Sequence, residues 1–239
     1  MKIQVVIFAL TVVSLMMLAA GCGSQKQSAD VHQEDTPRKF MPGPINYVAL
    51  GDSTGAGVGA RNGGYVARLF KRIEAKKPGS TLANLCVSGA TTDDVLNRQL
   101  EQGIDRRPNL VTLGIGINDI GHGFSLERFS KNYDEILRRL KHDTTAAIVV
   151  TNIPDISSAP RIPSSVRSQY QQTIIAFNQT LEEIAARHGV EVFDVYTSTH
   201  EQLPSRPELF SADGFHPSDK GYELWEELMW PTIARTIGA

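Results

Sequence analysis

Apolar residues along this chain follow two rhythms that take turns. Near-continuous apolar runs with prominent β-branched residues occur at "NYVAL", "TLANLCV", "NLVTLGIG", "AAIVVTN" and "VEVFDVY". Such runs predict strands covered on both faces, as in a parallel sheet. Between them, apolar positions recur at helical spacing. Tyr65, Leu69 and Ile73 share one face of a first helix, and Thr92 is placed to cap a second, with Asp93 and Asp94 in its first turn. Leu126, Phe129, Tyr133, Ile136, Leu137 and Leu140 line a third. Val166, Tyr170, Ile174, Phe177, Leu181 and Ile184 line a fourth, which stops at Gly189. The last helix starts near Pro217 and carries Tyr222, Leu224, Trp225 and Leu228. Strands alternating with helices predict a three-layer α/β/α sandwich around a five-stranded parallel sheet. Ligands of such sheets bind beyond the carboxyl ends of the strands, so the site must be built from the residues just after each strand.

The N-terminal segment breaks the pattern. "MKIQ" is followed by about sixteen uninterrupted apolar or small residues, long enough for a signal-peptide core and short for a membrane span. It ends in "LAAGC", which resembles the lipobox of bacterial lipoproteins, although Ala19 stands where Leu is more usual. That resemblance implies removal of residues 1–21, lipidation of Cys22 and a place in the bacterial cell envelope, exported and anchored to the membrane. The competing reading is a plain secretory signal with an incidental cysteine. Residues 22–44 are polar and without apolar period, as expected of a flexible tether, with His32 idle in it. One domain, residues 45–239, completes the chain.

Composition narrows the function classes. The chain has 239 residues, 41% hydrophobic and 21% charged, which suits a single sizeable core. A formal net charge of −2 argues against nucleic-acid partners. The two cysteines, Cys22 and Cys86, leave no disulfide if Cys22 is acylated, and Cys86 falls in a predicted buried strand as an inert thiol. The six histidines show no metal-ligand spacing, so no metal and no cofactor are expected.

The strand ends hold a chemically complete set. "GDS" with Ser53 comes after the first strand, "SGATT" with Gly89 after the second, and "GIND" with Asn118 after the third. "SADGFHPSDKGY", with Asp213 and His216, comes after the fifth. A serine hydroxyl needs an adjacent base, an imidazole can serve, and a carboxylate can fix its tautomer. Pro217 keeps His216 out of helical geometry. The amides of Ser53 and Gly89 and the side chain of Asn118 can stabilise an oxyanion. Asp52 and Asp119 beside tight turns are expected to bond backbone amides. His122 either lines the pocket or stays solvated, while His142, His188 and His200 are expected at the surface. "IPDISSAPRIPSS" is either an ordinary connection or a mobile pocket wall, with Arg161 a candidate contact for a polar group. "NQT" at Asn178 matches a glycosylation acceptor but lies within a helix.

"GDS", the glycine of "NLCVSGATT", "GIND" and "DGFH" resemble, in order, the four blocks of the SGNH, or GDSL-like, hydrolase family, which has a flavodoxin-like fold. The resemblance implies Ser53 as nucleophile, Asp213 and His216 as acid and base, and Ser53, Gly89 and Asn118 as oxyanion hole. Thr54 replaces a frequent Leu and Ala90 a frequent Asp, which puts pocket shape in doubt rather than catalysis. The implied activity is hydrolysis of small-molecule or polymer-borne esters, either short- to medium-chain acyl esters and lysophospholipid-like lipids or O-acetylated polysaccharide.

Two other classes compete. Gly55, Gly57 and Ala60 fit G-x-G-x-x-A, a nucleotide-binding turn, but Gly55 starts several residues beyond Leu50 and no acidic residue ends the second strand. A catalytically silent surface lipoprotein would lack a member of the set, and none is lacking.

Overall fold

The computed structural model describes residues 41–239; the leader, Cys22, His32 and nearly all of the tether lie outside the described residues. Strands β1 (Asn46–Gly51), β2 (Thr81–Asn84), β3 (Leu110–Gly114), β4 (Ala147–Thr151) and β5 (Glu191–Phe193) form one parallel sheet in the order β2-β1-β3-β4-β5. The helices are α1 (Ser53–Ala56), α2 (Tyr65–Lys76), α3 (Thr92–Asp94), α4 (Leu100–Asp105), α5 (Ile117–Gly121), α6 (Leu126–Asp143), α7 (Arg167–His188), α8 (Val195–Gln202) and α9 (Asp219–Ile237).

The central strands are covered on both faces because alternate side chains serve different helices. Val48 and Leu50 of β1, with Val111 and Leu113 of β3, pack with α6 and α7 residues such as Phe129, Leu137 and Phe177. Tyr47 and Ala49 point the other way, into a cluster with Leu69 and Ile73 of α2 and Tyr222, Met229 and Ile233 of α9. This is the predicted α/β/α sandwich with its five-stranded parallel sheet.

Several expectations change in detail. β2 is an edge strand ending at Asn84, so Cys86 lies beyond it, with its sulfur against Gly55. Burial is the main influence pushing its thiol up, consistent with an inert role. β5 stops at Phe193 because Asp194 caps α8, accepting from the Thr197 N–H at 3.0 Å. Thr91, not Thr92, caps α3, through a capping box closed by Asp94. Leu126 and Val166 are exposed where helix stripes were expected to bury them, and the buried face of α9 runs through Tyr222, Trp225, Met229 and Ile233 instead of Leu224 and Leu228. Leu126 is the first residue of α6 and Val166 immediately precedes α7, while Leu224 and Leu228 line a pocket instead of the sheet-facing core.

Candidate active site

Ser53 is positioned by the way β1 ends. Gly51 has φ of 151°, and a Cβ there would stand 2.3 Å from Gly114 O of β3. Glycine thus permits the close approach that turns the chain out of the sheet. Gln99 clamps the same residue, accepting from Gly51 N–H at 2.8 Å and donating to Gly51 O at 2.9 Å. Asp52 then caps α1, its Oδ1 accepting from the Thr54 amide at 2.9 Å and hydroxyl at 2.8 Å. Burial pushes its carboxyl up, only partly offset by Thr54. Ser53 is the first residue of α1, so its N–H has no acceptor within that turn.

Beside it stands the loop carrying Gly89. Val87 N–H donates to Gly51 O at 3.1 Å, and Ala90 N–H to Val87 O at 3.1 Å. That turn needs φ of 81° at Gly89, a region that disfavours side chains. Asn118, on α5, donates from Nδ2 to Ala90 O at 2.9 Å, so its amide lies against the Gly89 turn. Asp119 binds a neighbouring residue of that loop, accepting from Thr92 N–H at 3.1 Å and Thr92 Oγ1 at 2.5 Å. Asp52 and Asp119 thus hold backbone amides, as expected.

The catalytic-loop candidates lie between β5 and α9. Asp213 Oδ1 accepts from the amides of Phe215 at 2.8 Å and His216 at 2.9 Å and from Ser211 Oγ at 2.8 Å. Its Oδ2 lies 2.6 Å from His216 Nδ1, and His216 Nε2 lies 2.9 Å from Ser53 Oγ. Burial alone would raise the Asp213 carboxyl, but these hydrogen bonds, led by His216, hold it far below the usual carboxylate range. An ionised Asp213 makes Nδ1 the donor, which leaves Nε2 to accept from Ser53. The loop is braced by Arg161 N–H, which donates to Gly214 O at 3.0 Å. Arg161 therefore contributes its backbone, and its side chain is exposed.

Next to Ser53 opens a pocket of roughly 720 Å³, counting its mouth, lined by apolar side chains including Ile156, Val195, Leu203, Leu224 and Leu228. Of two of its walls, one is not expected from the sequence and the other is one of the two readings left open there. One is α8, whose sequence reads as the continuation of a strand. The other is the loop after β4, which contributes Pro154 and Ile156 to the pocket while Ile153 and Ala159 are buried. Asn178 clamps that loop, accepting from Ile153 N–H at 2.7 Å and donating to Ile153 O at 2.8 Å, so it is buried rather than open to glycosylation.

Gly55 and Gly57, offered by the nucleotide-turn pattern, are spent on α1 and its left-handed cap. His122 and His142 are exposed; His188 is half-buried against Asp134, and His200 pairs with the buried Asp155. Among the described residues no cluster of His, Cys, Asp or Glu is placed to hold a metal.

The profile of the GDSL-like Lipase/Acylhydrolase family matches residues 49–224. The chain belongs to this family. Residues 49–224 therefore form a carboxylic ester hydrolase domain. The chain is 28% identical over 203 residues to a GDSL-like esterase of Mycobacterium tuberculosis, covering 81% of this chain and 63% of that protein's length. It is 25% identical over 177 residues to an acetylxylan esterase of Geobacillus stearothermophilus, covering 70% of this chain and 78% of the relative. Among solved structures, a lipase/acylhydrolase from Enterococcus faecalis superposes with a TM-score of 0.64 at 24% identity, covering 79% of this chain and 95% of that one. The GDSL-like fold is thus shared well beyond recognisable sequence identity.

Proposed function

We propose that this protein hydrolyses carboxylic esters through an acyl-enzyme on Ser53. The observation that carries the proposal is the continuous chain from Asp213 to His216 at 2.6 Å and from His216 to Ser53 at 2.9 Å. As Ser53 Oγ bonds to the ester carbon, His216 Nε2 takes its proton, and Asp213 holds Nδ1–H and balances the imidazolium. The carbonyl oxygen becomes an anion met by the N–H groups of Ser53 and Gly89 and by Asn118 Nδ2. His216 then gives its proton to the departing alkoxide. A water repeats the sequence with His216 as base, releasing the carboxylic acid and restoring Ser53.

The apolar pocket beside Ser53 supports short- to medium-chain acyl esters or lysophospholipid-like lipids as substrates. Its lining is mostly apolar, from side chains such as Ile156, Val195, Leu203, Leu224 and Leu228, with Ser198, Thr199 and Gln202 among the few polar members, which suits an acyl chain. The similarity to an acetylxylan esterase favours a second reading, O-deacetylation of polysaccharide. A series of nitrophenyl esters from acetyl to palmitoyl, run beside acetylated xylan and a lysophospholipid, separates the two. An optimum at intermediate chain length supports the first; an acetyl optimum with xylan deacetylation supports the second. Ser53→Ala should abolish turnover, by on the order of 10⁴-fold or more, without unfolding the protein. Full activity in that purified variant would overturn the mechanism.

The "LAAGC" segment supports domains at 1–21, 22–44 and 45–239, with Cys22 acylated and the domain tethered at the bacterial envelope. Cys22→Ser should then move the protein from the membrane fraction to the soluble one. Unchanged membrane association would remove the anchor from the proposal.

A further inference from the structure

Two walls of the apolar pocket, the loop after β4 and helix α8, meet at one buried carboxylate. The Asp155 side chain is only 3% exposed. Its Oδ2 accepts from Gln171 Nε2 of α7 at 2.8 Å and lies 2.8 Å from His200 Nδ1 of α8. Its Oδ1 accepts from Ser157 N–H at 2.9 Å, and its own N–H donates to Thr199 Oγ1 at 2.8 Å. Burial alone would raise this carboxyl, but the hydrogen bonds from Gln171, Ser157 and His200 hold it below the ordinary range. It is therefore anionic at neutral pH, and its bonds are charge-assisted.

The flanks of this joint are the pocket lining. Pro154 and Ile156 bracket Asp155, while Thr199, Gln202 and Leu203 surround His200, and all five line the cavity beside Ser53. The first turn of helix α8 is held by Asn152 Oδ1, which accepts from the Val195 and Tyr196 amides at 2.8 and 2.9 Å. Its later residues are tied to the loop after β4 through Thr199 and His200. The helix is eight residues long and buries only Val195, too short to be stable on its own and poor in apolar anchorage. The hydrolytic step needs neither Asp155 nor His200, because the base for Ser53 is His216.

We propose that Asp155 and His200 are positioning residues for substrate choice, a clasp that fixes the spacing of the two pocket walls and so sets the acyl-chain length the enzyme prefers. The inference rests on reading this cavity as the acyl site. Discrimination between chains that differ by methylenes requires walls that do not yield, and a charged joint at the later half of a short helix fixed mainly at its first turn supplies that stiffness.

The experiment compares kcat/KM for octanoyl and acetyl nitrophenyl esters in wild type, His200→Ala, His200→Asn, Asp155→Asn and Ser53→Ala. His200 is 53% exposed, so its variants should fold. His200→Ala should lower the octanoyl-to-acetyl ratio by about tenfold. Its kcat on the acetyl ester should stay within about twofold of wild type. His200→Asn, whose Nδ2 can stand where the imidazole Nδ1 stood, should restore the ratio. Asp155→Asn should shift the ratio in the same direction as His200→Ala, and should it fail to fold, the two His200 variants still decide. A ratio unchanged in His200→Ala, or an equal loss on both esters, overturns the clasp whatever happens to the Tm. Ser53→Ala tells the two kinds of failure apart. If it still hydrolyses both esters, the reading of the site fails first; if it is inactive while His200→Ala keeps the wild-type ratio, only the clasp falls.

Discussion

Two aspartate–histidine pairs in this domain make nearly the same contact with opposite exposure. Asp213 Oδ2 lies 2.6 Å from His216 Nδ1, with the imidazole 16% exposed and the carboxylate 35% exposed. Asp155 Oδ2 lies 2.8 Å from His200 Nδ1, with the carboxylate 3% exposed and the imidazole 53% exposed. In the first pair the base is sheltered and its far nitrogen meets a serine hydroxyl. In the second the acid is sheltered, and the ring stacks on Tyr196 with centroids 5.8 Å apart. The contact alone does not make a catalytic pair. What makes one is a nucleophile on the far side of the ring, and without it the same two residues form a structural joint.

The largest test of that distinction exchanges each imidazole for an amide of similar reach. His216→Asn removes the imidazole bonded to Ser53 Oγ, among the described residues the one base placed to take its proton, so ester hydrolysis should fall on the order of 10⁴-fold. His200→Asn should stay within about twofold of wild type on an acetyl ester. Steady-state kinetics on one substrate measures both. Comparable losses would mean that His200 takes part in the chemistry and that the two pairs are not different in kind.

Exchanging the acids should give the reverse asymmetry. Asp213→Asn keeps an oxygen for the Phe215 and His216 amides but no longer fixes Nδ1–H, so kcat should fall roughly 10²- to 10⁴-fold, with a loss of Tm smaller than that of Asp155→Asn because the carboxylate is 35% exposed. Asp155→Asn sets a donor against Gln171 and His200 in a buried place, at a cost of about 1–3 kcal/mol in stability. Its kcat on the acetyl ester should hold. Thermal unfolding and acetyl-ester turnover, measured together, check both halves.

The two pairs also differ in how far the sequence betrays them. Asp213 and His216 stand three apart on one loop, beside three other strand ends that complete a known chemistry, so local spacing was enough. Asp155 and His200 are 45 positions apart, and nothing in "PDIS" or "STHEQ" points from one to the other. They meet only because β4 and β5 are sheet neighbours whose succeeding segments share one edge. The fold reads well for a related reason: continuous strand runs and stripes such as Leu69–Ile73 are repetitive signals that survive averaging. Helix α8 does not, because "VEVFDVY" runs strand into helix without a break, and only the cap at Asp194 marks the change. Gln99, which holds both polar groups of Gly51, was equally silent, since a single glutamine on a helix carries no pattern.

A third carboxylate separates burial from pairing, with the smallest expected effect. Asp119 is as buried as Asp155, but its partners are the amide and hydroxyl of Thr92 rather than an imidazole. Burial outweighs those bonds and pushes its carboxyl up to about 6. An unfolded aspartate titrates near 3.9, so the contribution of Asp119 is fully present below about pH 4 and is lost as pH rises through about 6, by at most about 3 kcal/mol. Asp155 runs the other way. Its carboxyl lies below the ordinary range despite burial, so its contribution is present above about pH 4 and is lost as pH falls through its folded value. Relative to wild type, Asp119→Asn should therefore gain stability between about pH 4 and about pH 7.5, while the deficit of Asp155→Asn should hold steady over that interval and shrink only below about pH 4. Urea unfolding at the two pH values decides. If both variants shift in the same direction, the imidazole and Gln171 are not what keeps Asp155 ionised, and the second pair loses its standing as a charged joint.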